Sequence, residues 1–405
     1  MQLLNVYESN RLQQPNRLQQ RGRWPLSEST ITTRSDHWRP LVTKMLRQHS
    51  VFLGICLTYV VIGYLYITYF GEGQGRQLSY TSYFFMRMLW PIIIIGAGIF
   101  IVREAVVERP EKLTRHCWSK MRAQYLTAER LLPAVPIVFV LPLVFTTFTN
   151  IKVLIPVVTP FSWDPAFADL DRVIHFGRQP WEWLHPLLGT PGLTKVVYGL
   201  YIVWLLYMYT VLFWQTFSLA DSFLRMRYIL TFTLSWMLIG SVGGTLFSSA
   251  GPVYYEQVTG SPGDFGLLME YLTTVYAGSD GGLIAVQAYL WEGYLATEGR
   301  RFGGISAMPS MHIAMVTVIA LLGWAQSRLL GIVFTVFALV ILIGSVHLAW
   351  HYAVDGYAAA IAVCCLWVVV GAVLRRIAPW LGLPESVEVE KNLAESGLPA
   401  SAGAK

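Results

Sequence analysis

Apolar residues along the chain fall into eight long runs, separated by polar or turn-forming segments. The runs lie at roughly 50–70, 84–102, 131–149, 195–217, 228–249, 311–325, 329–347 and 356–374, and a helix needs about 20 largely apolar residues to cross hydrocarbon. The sixth run is short, and only Gln326–Arg328 separates it from the seventh, so these two are expected to form a helical hairpin. The pattern predicts an all-α integral membrane protein with about eight transmembrane helices and a six-helix core.

The polar segments divide the chain further. Residues 1–48 are basic and repeat NRLQQ (within 10–20), and with the tail 379–405 they are expected to be disordered. Residues 49–130 read as two additional spans and a basic loop, and 131–378 as the core with two long loops, 150–194 and 250–310. Those loops carry Trp163, Trp181, Trp183, Tyr254, Tyr255 and Trp291, which favour ordered segments at headgroup level. In FSWDPAFADLDRVIHFG (161–177), Asp164 reads as an N-cap before Pro165. Phe167, Leu170, Val173 and Ile174 then form the stripe of an interfacial helix. SSAGPVYY (248–255) reads as a tight turn closing the fifth span, and Arg87 as a snorkelling residue at the edge of the second.

Composition agrees with this picture. Of 405 residues, 54% are hydrophobic and 13% charged, against about 25% charged in soluble domains. The net charge of +6 comes from Lys and Arg concentrated in alternate connecting segments. The positive-inside rule then places both termini in the cytoplasm and makes the basic excess a topology signal, not a nucleic-acid patch. The first apolar run starts too late for a signal peptide. Four cysteines are too few for a disulfide framework and are read as neither bridged nor metal-binding.

Candidate chemistry concentrates near the end of the chain. SVHLAWHYAVD (345–355) spaces His347, His351 and Asp355 at i, i+4 and i+8, one face of a continuous helix. SAMPSMHIAM (306–315) puts His312 at the start of the sixth span behind Ser310, a candidate helix cap. The hairpin brings His312 and His351 to the same depth, which suits one nucleophile and one general acid, with Asp355 orienting the imidazole. A lone interfacial histidine usually contacts backbone or headgroups; convergence with a second histidine and a carboxylate is what points to chemistry. A metal held by His312, His347, His351 and Asp355 is an alternative by ligand type, with no HxH or HExxH spacing behind it. Asp171 and His175, at i and i+4, could bind a polyol headgroup or an ion, or simply cap and pair.

PSMH followed by HxxxD resembles the type 2 phosphatidic acid phosphatase superfamily, which includes bacterial acid phosphatases and vanadium haloperoxidases. That family's first motif is Lys, six residues, then Arg-Pro; here Lys152 and Pro160 match and Thr159 replaces the arginine. Its second is Pro-Ser-Gly-His, with Met311 here in place of glycine. Its third is Ser-Arg, five residues, His, three residues, Asp, with Ser345 here in place of arginine. FGGISAMPSMH and WHYAVDG look closer to the inositol phosphorylceramide synthase branch. The resemblance implies that His351 attacks phosphorus, Asp355 orients it and His312 protonates the leaving oxygen. It implies a phosphate site near Lys152 and Ser310, to which His347, Arg300 and Arg301 are added as candidates, and no metal or organic cofactor.

Arginine's fork suits a phosphate with several free oxygens, so losing two arginines while keeping Lys152 fits a phosphodiester donor. The expectation is transfer of a phosphoryl headgroup from a phospholipid to a lipid or polyol hydroxyl, at the extracytoplasmic face of the plasma membrane. A lipid phosphatase and a non-catalytic lipid transporter are the alternatives; a haloperoxidase would want the missing arginines. The oligomeric state has no signal in the chain.

Overall fold

The computed structural model describes residues 38–71, 78–278, 282–296 and 304–383. The described residues from Leu41 onward form one compact unit. The described residues hold helices and no strand. We number the principal helices α1 (Trp38–Phe70), α2 (Leu78–Arg103), α3 (Leu113–Gln124), α4 (Val135–Val158), α5 (Asp164–Ile174), α6 (Pro180–Leu188), α7 (Pro191–Thr216), α8 (Ser222–Leu234), α9 (Gly266–Val275), α10 (Leu283–Leu295), α11 (Met311–Gln326), α12 (Arg328–His347) and α13 (Ala353–Leu381).

Seven helices are long and apolar enough to span a bilayer, and α11 is a shorter apolar helix. All eight expected runs are therefore helical, and the chain is an all-α integral membrane protein. Length follows position in the bundle. The short α11 is its centre: Ala314, Met315, Val316, Val318 and Ile319 are wholly buried, as befits a helix that is apolar all round. Ser327 alone joins it to α12, and its hydroxyl caps the new helix by accepting from the Leu330 amide. The spans of α1 and α2 are 17% and 6% buried, against 61% for the span containing α4, so they form an outer, lipid-facing layer.

Two boundaries differ from expectation. α1 starts at Trp38, within the segment expected to be disordered, and α13 runs to Leu381. Helix hydrogen bonding carries on past the hydrocarbon edge because polar side chains there can face water. The rest of the head and tail lies outside the described residues, as does the Arg87 side chain. Arg225 and Arg227, which fall between the fourth and fifth apolar runs, lie within α8 and are buried. Arg227 sits 4.2 Å from the Trp367 ring centroid and donates to the Trp367 carbonyl at 3.3 Å.

Two local departures from regular helix shape the site end. Beyond α8 the chain continues as a π-helix, Ser235–Gly243. Here Gly240 and Gly243 leave room for neighbours: a Cβ would lie 2.7 Å from the Phe148 ring and 3.1 Å from Pro309. The second departure ends α12. His347 is its last residue, Ala349 takes a left-handed conformation (φ 61°), and the chain reverses. The Trp350 amide donates to the Ser345 carbonyl (2.9 Å) and the Ala349 amide to Val346 (3.1 Å), the two bonds of a Schellman motif.

SSAGPVYY turns against this reversal. Gly251 has φ +90°, and a Cβ there would meet the Trp350 carbonyl at 2.8 Å and the Ala307 side chain at 3.0 Å. Gly251→Ala is therefore expected to lower stability by ~2 kcal/mol or more, combining left-handed strain with a backbone clash. Unfolding of the two proteins in the same detergent checks this; equal stability contradicts the packing described.

Candidate active site

The third-motif residues do not share one continuous helix. The reversal at Leu348–Tyr352 separates His347 on α12 from Asp355 on α13 and leaves His351 between them. The Schellman bonds explain the break, and they turn His347 away. Its Nε2 lies 2.9 Å from the Thr194 hydroxyl, which also bonds Tyr271 at 2.7 Å. His347 thus joins a separate polar cluster, and the four-donor metal alternative fails because its donors do not converge. Among the described residues no group of three or more His, Cys, Asp or Glu is placed to hold a metal.

His351 and Asp355 still meet, across the start of α13. His351 Nδ1 lies 3.3 Å from Asp355 Oδ2, which also accepts the Tyr352 amide at 3.0 Å. A carboxylate at Nδ1 keeps the proton there and leaves the lone pair on Nε2. His351 Nε2 in turn faces His312 Nδ1 at 3.3 Å. Burial holds the His351 imidazole well below its ordinary pKa, with the Lys152 cation acting in the same sense, so the neutral form prevails.

Ser310 caps α11, its hydroxyl accepting the Ile313 amide, and its own amide donates to the Asp355 carbonyl at 3.1 Å. Motifs two and three are thus joined through backbone. The ring of His312 is stacked on Tyr201 (centroids 4.8 Å) and tilted against Trp204 (4.4 Å), both on α7. Lys152 lies on α4, which continues to Val158, past the expected end of that span.

Lys152, His312 and His351 line one cavity of about 350 Å³. Tyr198, Ile202 and Leu205 of α7 and Val286 and Leu290 of α10 supply an apolar wall. Lys152 is the only cationic Lys or Arg among the described residues lining it. Arg300 and Arg301 lie outside the described residues. Ser345, in the position of a motif arginine, turns its hydroxyl into its own helix, donating to the Leu342 carbonyl at 2.7 Å.

Asp171 and His175 have local partners. Asp171 accepts the Ala353 and Val354 amides (2.7 and 2.9 Å), capping α13. Burial raises its pKa to about 6, against the lowering effect of those amides. His175 bonds the Asp171 carbonyl and the Tyr357 hydroxyl. The capping reading of this pair is the one the geometry follows.

Asp164 is the residue that sequence reasoning misplaced. It opens α5 but does not cap it: its carboxylate accepts the Ser249 hydroxyl, the Ala250 and Gly251 amides and the Tyr352 hydroxyl, all at 2.8–2.9 Å. Its partners are far away in the chain, so the local Asp-Pro signal pointed to the wrong amide. Tyr201 and Trp204 had no signal at all, since aromatics in an apolar run look the same whether they face lipid or a ring of the candidate site.

A family model for the PAP2 superfamily matches residues 165–371. This chain belongs to the PAP2 superfamily, and membership supports an enzyme of the phosphatase or phosphotransferase kind acting in a membrane. No curated protein matches the chain, and no solved structure does.

Asp164→Ala leaves four buried donors without an acceptor, each costing ~1–3 kcal/mol. Expected outcomes are a loss of at least ~4 kcal/mol in unfolding measurements and a reduced turnover number. Asp164→Asn, which keeps one acceptor oxygen, is expected to lose less of both. Wild-type stability in Asp164→Ala contradicts the assignment.

Proposed function

We propose that the protein is a lipid phosphotransferase that cleaves a phospholipid phosphoester through His351 and passes the phosphoryl headgroup to a hydroxyl acceptor. The observation that carries this reading is the line Asp355–His351–His312, with the Nε2 lone pair of His351 aimed at His312 inside a cavity that Lys152 also faces. In the free protein His312 Nδ1–H can donate to His351 Nε2. A bound phosphate group separates the two rings. His351 Nε2 then attacks phosphorus, the bond to the leaving oxygen breaks, and His312, holding a second proton as the imidazolium beside the bound anion, protonates that oxygen and becomes neutral. Once the first product leaves, His312 takes the proton of the incoming hydroxyl, whose oxygen attacks phosphorus and frees His351. With a monoester as donor and water as acceptor the same steps give a phosphatase.

Charge favours a diester donor. One lysine balances the single negative charge of a phosphodiester, whereas a monoester carries up to about two. The absence of arginine at Thr159 and Ser345, with the FGG-to-PSMH and WHYAVDG patterns, supports the inositol phosphorylceramide synthase-like branch. We place the site at the extracytoplasmic face of the plasma membrane with both termini inside, on the distribution of Lys and Arg. The catalytic core is assigned to 131–378, with α1 and α2 as additions.

The test is to incubate purified protein with headgroup-labelled phospholipids, with and without lipid alcohols, and identify products. Acceptor-dependent labelled lipid is expected. Free phosphate released from a monoester as the dominant product would overturn the transferase reading in favour of a phosphatase. His351→Ala is expected to lose activity by at least about a thousandfold, given what loss of a nucleophile costs in other covalent mechanisms. Retained turnover removes His351 as nucleophile.

A further inference from the structure

The end of the bundle away from the catalytic cavity holds a second cavity, of about 280 Å³, whose walls include Lys44, Gln48, Glu129, Ser218, Ser222 and Arg225. Leu132, which also lines it, precedes Lys152 by 20 residues, about 30 Å along a helix. The two cavities are separate sites.

Arg225 is the reason to look for a ligand. It is 3% exposed, and buried guanidinium groups are normally matched by carboxylates. Among the described residues Arg225 forms no ion pair. Its recorded partners are the Thr216 carbonyl at 3.5 Å and His49 Nε2 at 3.4 Å, both at the long limit of a hydrogen bond. His49 Nδ1 bonds the Met45 carbonyl at 2.9 Å, so that nitrogen carries the proton and Nε2 is only an acceptor. The Nε–H of Arg225 is buried with no partner.

The surroundings add donors more than acceptors. Lys44 is an exposed second cation on the rim, and Ser222, which opens α8, has no side-chain hydrogen bond among the described residues. Gln48 is oriented by donating to the Gly382 carbonyl at 3.1 Å. Asp221, next to Ser222, accepts the Leu224 amide at 2.9 Å as the α8 N-cap. Glu129, the one carboxylate lining the cavity, is exposed and forms no ion pair with Lys44 or Arg225.

We propose that this cavity is an anion site that takes a phosphate group, with Arg225 at its floor and Lys44 and Ser222 closing on the other oxygens. Arginine supplies a planar fork for phosphate oxygens and lysine a mobile point charge, the pairing such a group needs. The group arrives either as free phosphate or as the headgroup of a phospholipid in the leaflet at this end. The site is independent of the chemistry at His351.

The test uses full-length protein carrying His351→Ala, so that no probe is turned over. Inorganic phosphate and dioctanoyl phosphatidylglycerol are titrated separately at constant ionic strength, with thermal stabilisation as readout. At least one probe is expected to stabilise the protein beyond chloride. Adding Lys44→Ala and Ser222→Ala together is expected to weaken its apparent Kd at least threefold, and about tenfold if one charge-assisted contact is lost. A response to phosphate identifies a soluble anion as sufficient, and a response to the lipid alone identifies a headgroup. Failure of both probes to stabilise, or a Kd changed less than threefold by the double substitution, overturns the proposal. Both rim positions are exposed or at a helix start, so the outcome does not depend on whether Arg225→Gln folds.

Discussion

A backbone amide at the edge of hydrocarbon has little water to turn to, and the candidate site exists because its freed amides find acceptors. Bringing His351 over His312 requires α12 to stop, the chain to reverse and α13 to begin within five residues. Each such break strands N–H groups. Three buried carboxylates take them up: Asp355 accepts Tyr352, Asp171 accepts Ala353 and Val354, and Asp164 accepts Ala250 and Gly251. Asp164 and Asp171 are seven residues apart, two turns on one face of α5. That helix is therefore a strut that grips both loops beside the His312 and His351 rings, and its apolar opposite face (Val173 is 77% exposed) is left for lipid.

This division of labour explains what could be read from the chain. Hydrophobic run length is a local property, so all eight helices were visible, and so was the hairpin, set by a connection too short to allow anything else. His312, His351 and Asp355 were visible because motif spacing survives even where the helix between them does not. The assumption of a continuous helix from His347 to Asp355 failed because Ala349, a residue with no turn signature, adopts the left-handed cap. Glycine is the usual resident there; alanine hid the break. The partners of Asp164 failed to show for the opposite reason, since a strong local signal masked a long-range role. The π-helix at Ser235–Gly243 was equally silent, although GSVGG, where the chain of the PSMH motif packs, is its trace in the sequence.

The electrostatics of the candidate cavity follow from the same burial. With Lys152 the only cation among its described lining residues, a second positive charge on His351 is opposed both by desolvation and by that lysine. The imidazole stays neutral, which is the form that can attack phosphorus. Tyr201 and Trp204 enclose the other ring and shut water out from its sides. Among the described lining residues one fixed cation can match one oxyanion, in a setting where each uncompensated charge is costly. The diester preference proposed above rests on this balance and on the two positions, Thr159 and Ser345, where the family's arginines are replaced.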